Sequence, residues 1–126
     1  MFRAVAAAVL DGLLPTEATQ RTAALDAHLR HLQATLAGLP NALQAEVAQL
    51  SAVLCSPPGR RALAGLSVDW EQAEVTQVQL ALQDMRLSSM ALRQQAYHAL
   101  RDLSNAAWFA DASSWPAIGY PGPQPI

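Results

Sequence analysis

Apolar side chains recur at intervals of three and four residues along almost the whole chain, and no stretch alternates with a period of two. That spacing predicts an all-α protein. Phe2, Val5, Val9, Leu10 and Leu13 line one stripe that stops before Pro15, which implies a first helix of about three turns. Residues 16–21 read as a polar connection. Leu25, Leu29, Leu32, Leu36 and Leu39 form the stripe of a second helix, closed by Gly38-Leu39-Pro40. Pro40 sits near the start of a third, whose apolar face is Leu43, Val47, Leu50 and Leu54.

Ser56-Pro57-Pro58-Gly59 is the clearest internal punctuation, and a short helix over residues 60–66 is expected after it, carrying Leu63 and Leu66. Asp69-Trp70-Glu71-Gln72 has the spacing of a capping box and predicts the start of a long helix, with Val75, Val78, Leu82 and Met85 inward. Residues 86–89 mark a turn or kink. The last long helix is expected over residues 89–108, with Leu92, Ala96, Ala99, Leu100, Leu103 and Ala107 facing the core. Its alanines permit close helix approach, so the pattern predicts a compact bundle of five or six helices over residues 1–110.

The helical period stops at Phe109 or Ala110, and residues 111–126 are of another kind. Pro116, Pro121, Pro123 and Pro125 remove backbone donors and hold their neighbours extended, with turns expected at Gly119 and Gly122. Burying the rings of Trp115 and Tyr120 stabilises by about 4–6 kcal/mol each, while ordering the segment costs about 1–2 kcal/mol per residue. Such a tail is ordered only where both rings find pockets, either on this chain's own helices or on a partner. Trp108, Phe109, Trp115, Ile118 and Tyr120 in a proline frame have the make-up of interface anchors, and the chemistry of the residues leaves both destinations open.

Composition narrows the function. The 126 residues suffice for one core, and the net charge of −2 leaves no basic footprint for nucleic acid or an anionic membrane surface. All eight basic residues are Arg, which reads as coding bias. Cys55 is the only cysteine and is expected to be a small buried apolar residue. The N-terminal apolar run is closed early by Asp11 and follows no twin arginine, so a cytoplasmic location is expected.

Candidate chemistry is sparse. His28 and His31 share a metal-compatible i, i+3 spacing but lack an evident third ligand, so they are expected to face solvent or cap; His98 is expected to be partly buried. Arg60-Arg61 is expected to be solvated near a helix start, and Glu71, Glu74 and Asp84 to be first-turn and surface charges. No phosphate-cradling glycine loop or nucleophile setting is present, so catalytic, cofactor and metal residues are all expected to be none in this chain.

Ala99-Leu100-Arg101-Asp102-Leu103, Trp108-Phe109-Ala110-Asp111 and Trp115-Pro116-Ala117-Ile118-Gly119-Tyr120-Pro121-Gly122-Pro123 together resemble the C-terminal signature of the gluconate 2-dehydrogenase subunit 3 family. The resemblance implies a noncatalytic small subunit that partners a large flavoprotein of the glucose–methanol–choline oxidoreductase (GMC) type, which holds FAD and oxidises a sugar or alcohol. It further implies a supporting role in folding, stability or export, a possible cytochrome c subunit as a third member, and a periplasmic location as the alternative. The partner-binding residues it implies are Trp108, Phe109, Trp115, Ile118, Gly119, Tyr120, Pro121 and Pro123. This chain departs from the pattern at Trp108-Phe109, where two tyrosines are usual, and at Ala112, where proline is usual; with no twin-arginine pair ahead of its first apolar run, no export leader of that kind is expected. The competing reading is a self-contained helical domain that homodimerises, its tail stapled over its own core.

Overall fold

The structure is a computed structural model that describes the backbone of residues 1–110 and the side chains of residues 1–108. Among these residues six α-helices form an all-α bundle: α1 (Phe2–Val9), α2 (Ala18–Ala37), α3 (Asn41–Cys55), α4 (Pro57–Gly59), α5 (Val75–Arg86) and α6 (Ala91–Ala110). A 3-10 turn, Asp11–Leu13, follows α1, and a π-helical turn, Arg60–Ala64, continues α4.

α1 is the shortest of the core-forming helices and lies at the centre, against α2, α5 and α6. Its sequence explains the position. Val5, Ala6 and Ala8 are all buried, so the helix carries apolar surface on more than one side, and its alanines let neighbours approach closely. The principal core gathers Val5, Leu54, Leu63, Trp70, Met85 and Leu100. A second cluster of Ala6, Leu10, Leu14, Leu25 and Trp108 joins α1, α2 and α6. The predicted three-turn first helix is about one turn shorter in α form, because the chain tightens into the 3-10 turn after Leu10.

α2 begins at Ala18, inside the expected polar connection. Glu17 explains the early start, since its carboxylate accepts hydrogen bonds from the backbone N–H of Thr19 and Gln20 at 3.0 and 2.7 Å. The turn into α3 is tied by Gln44, whose Nε2 donates to the carbonyl of Leu39 at 2.9 Å. At the far end of α3, Ser56 Oγ accepts from the Gly59 N–H at 3.2 Å and opens α4.

The segment between the π turn and α5 departs most from the sequence reading. The expected helix start at Asp69 is absent, and α5 begins at Val75, where Gln77 Oε1 accepts from the Glu74 N–H at 2.8 Å. Asp69 is engaged elsewhere: its carboxylate receives Arg60 Nη1 at 2.6 Å, while Arg60 Nε donates to the Leu66 carbonyl at 3.2 Å. Arg60 is therefore buried rather than solvated, and it clamps the chain where it leaves the π turn. Arg61 is exposed as expected.

Cys55 is exposed rather than buried, because it ends α3 on the face turned away from Leu54. Leu92 is 56% exposed, and the inward face of α6 runs instead through Ala96, Leu100, Ser104, Ala107 and Trp108. No described helix is long and apolar enough to cross a membrane.

Candidate functional site

Two features meet along α6. The first is the root of the C-terminal segment. α6 places Leu100, Ser104 and Trp108 at intervals of four, so one face of the helix delivers all three inward. Trp108 packs with Leu25 of α2, with Ala6 and Leu10 at the end of α1, and with Leu14 beyond. The His28 ring lies beside it, centroid to centroid 6.4 Å, with the planes inclined at 51°. His28 is 1% exposed, contrary to the expectation of a solvent-facing or capping histidine. It lies between Leu25 and Leu32 on the buried face of α2, and that alignment was the signal available in the sequence.

The remaining histidines also part from a shared site. His31 is half-buried one turn along α2, and His98 is exposed on α6, its ring tilted against that of Tyr97 with 5.3 Å between centroids, rather than partly buried. Among the described residues no three His, Cys, Asp or Glu side chains are grouped closely enough to hold a metal ion.

The second feature is an apolar groove of about 530 Å³ between the end of α2, α3 and α6. Leu39, Leu43, Val47 and Leu50 line one wall, and Ala99, Leu103 and Ala106 line the other. The groove exists because α3 is held mainly at its C-terminal end, where it meets α4 and the π turn. Leu54 alone among its residues is buried, and Leu43 is 44% exposed. The apolar face of α3 expected from its periodicity is there, and most of it faces this open channel.

Electrostatics around the groove are one-sided. Glu46 and Asp102 are its charged lining residues, and both are exposed. Asp102 receives Arg101 Nη2 at 3.0 Å, and that bond raises the Arg101 pKa further above its ordinary value. Arg101 also lies 5.7 Å from the centre of the Tyr97 ring, on the side of α6 away from the groove.

Of the residues singled out from the sequence, Trp108 is thus inside the bundle, where it anchors α6 to α1 and α2. Phe109 lies in α6, its side chain outside the described set. Trp115, Ile118, Gly119, Tyr120, Pro121 and Pro123 lie outside the described residues. The groove was not singled out from the sequence, although its lining residues Leu39, Leu43, Val47, Leu50 and Leu103 all belong to the helix stripes. No family model, no curated protein and no solved structure matches this chain.

Proposed function

We propose that this chain is a noncatalytic helical small subunit that binds and stabilises a large FAD-dependent dehydrogenase of the GMC type, acting on sugars or alcohols. The flavin and the chemistry belong to the partner. The observation that carries this reading is the run Trp115-Pro116-Ala117-Ile118-Gly119-Tyr120-Pro121-Gly122-Pro123, which follows a helix rooted in the bundle by a buried tryptophan. Aromatic anchors in a proline frame lose little conformational entropy on binding, which is the economy an interface segment needs. The contact region so proposed runs from Phe109 through Pro123, with Trp108 as its internal root.

Affinity capture of the tagged full-length chain from its native host tests this reading. A yellow co-purifying protein that releases FAD, and that is lost from a Trp115→Ala/Tyr120→Ala variant of unchanged helical content, supports it. Recovery of the chain alone, at wild-type yield and fold, overturns it.

A second reading, homodimerisation, is favoured by a different observation. Leu80, Leu87, Met90 and Leu92 are each more than half exposed, and all lie on α5, on α6 or in the turn between them. Sedimentation of the isolated chain as a dimer that dissociates on Leu87→Glu would support this second reading.

A further inference from the structure

We infer that the groove between α3 and α6 is the docking site of this chain's own residues 111–126. The inference concerns the chain alone and does not depend on a flavoprotein partner.

Position is the first argument. Ala106 lines the groove one turn before Ala110, the last residue of α6, so the chain leaves the helix about 6 Å from the groove's edge. The five steps from Ala110 to Trp115 reach at most about 17 Å. Along α3 the wall from Leu43 to Leu50 is about 10 Å long. A segment of polyproline pitch carries Ile118 and Tyr120 about 9 and 16 Å beyond Trp115. The linker's reach exceeds the distance to the groove, and a segment of that pitch is long enough to run the length of the wall and past it, so no longer linker is needed.

Chemistry is the second argument. Among the described residues the groove is walled mainly by leucine, valine and alanine with Thr35 at one end, and its charged members are the carboxylates of Glu46 and Asp102. Residues 111–126 contain one charged side chain, Asp111, at the end nearest α6. Their prolines need no ladder of backbone bonds, so side chains seated in an apolar channel are sufficient to hold them. A second copy of the bundle fits less well. A second copy would bring a second pair of the same carboxylates, Glu46 and Asp102, to the face, and among the described residues no cation lines the channel to offset them. If a partner also binds, it meets a surface in which tail and α3 are already assembled, which lowers the ordering cost of the complex.

The test uses the full-length chain. In a Cys55→Ser/Ala117→Cys variant a nitroxide is attached at residue 117, and methyl signals are recorded with the label oxidised and reduced. Leu43, Val47, Leu50 and Leu103 methyls are expected to lose most of their intensity, while those of Leu80 and Leu87 keep theirs. Adding Leu43→Glu, at an exposed position that leaves the bundle folded, is expected to restore the groove signals. Groove methyls untouched by the label overturn the inference. So does loss of signal that appears only when labelled chains are mixed with isotope-enriched unlabelled ones, since that assigns the groove to a second copy.

Discussion

The indole N–H of Trp70 donates to the backbone carbonyl of Leu54 at 2.9 Å, and both residues lie in the principal core. The Leu54 carbonyl is one of the last four of α3, which have no partner within their own helix. A side chain sixteen residues later closes that helix end from inside. Trp70→Phe keeps an aromatic ring but leaves the carbonyl buried without its donor. We expect a loss of about 1–3 kcal/mol, read as a lower urea midpoint with an unchanged slope.

This contact shows why part of the fold was legible in the sequence and part was not. α2, α3 and α6 carry long apolar periods, and their existence follows from local spacing alone. The start of α5 does not. Asp69 and Gln72 have the spacing of a capping box, but Asp69 is drawn to Arg60 nine residues back and Trp70 to Leu54, so the chain turns through residues 67–74 before α5 starts. Long-range bonds of that kind leave no periodic trace. His28 was readable, since it lies between Leu25 and Leu32 on one face, yet its chemistry directed attention to solvent and metals. The groove was hidden for the opposite reason. A stripe of leucines and valines announces an apolar face, and it does not announce whether another helix covers it.

Two glycines hold the α4 region by different means. A Cβ on Gly59 meets the carbonyl oxygen of Val53 at 2.0 Å, a backbone atom that cannot swing away. Gly65 has φ +70° and ends the π turn in the left-handed region, its N–H donating to the Arg61 carbonyl. Gly65→Ala is expected to cost about 1–2 kcal/mol, the ordinary penalty for an L residue there. Gly59→Ala is expected to cost more, because α4 must separate from α3. Thermal unfolding of the two variants side by side checks the order; equal melting temperatures would show that α3 and α4 yield freely.

Acid stability should report on the start of α2. The Glu17 carboxylate titrates below its ordinary range because the N–H groups of Gln20 and Thr19 bond its charged form. A folded-state pKa below the unfolded one means that the unfolded chain takes up the proton more readily. The cap therefore stabilises the protein above the ordinary glutamate range, and its contribution is lost as pH falls through the depressed folded value. Glu71 behaves in the same sense, through the hydrogen bond from the Met1 amine. Comparing wild type with Glu17→Gln isolates the cap, since Glu71 titrates in both. The variant is expected to be less stable near neutrality, with the difference shrinking as the pH falls through the carboxylate range. Denaturant unfolding at a series of pH values measures it, and a constant difference would mean that the carboxylate charge plays no part in the cap.

Ser104 presents the reverse case, a polar group whose removal should help. It is fully buried on the inner face of α6, four residues from both Leu100 and Trp108, and no described group hydrogen-bonds its hydroxyl. Burying a hydroxyl without a partner costs about 1–3 kcal/mol on the scale of protein substitutions. Alanine removes that cost, keeps the Cβ that packs, and is the better helix former. The vacated space is the size of one oxygen atom, so the cavity penalty is small beside the gain. Ser104→Ala is therefore expected to raise the melting temperature by a few degrees. A fall instead would show that the hydroxyl has a partner in solution, and a structure of the variant would then show what had been lost beside Trp108.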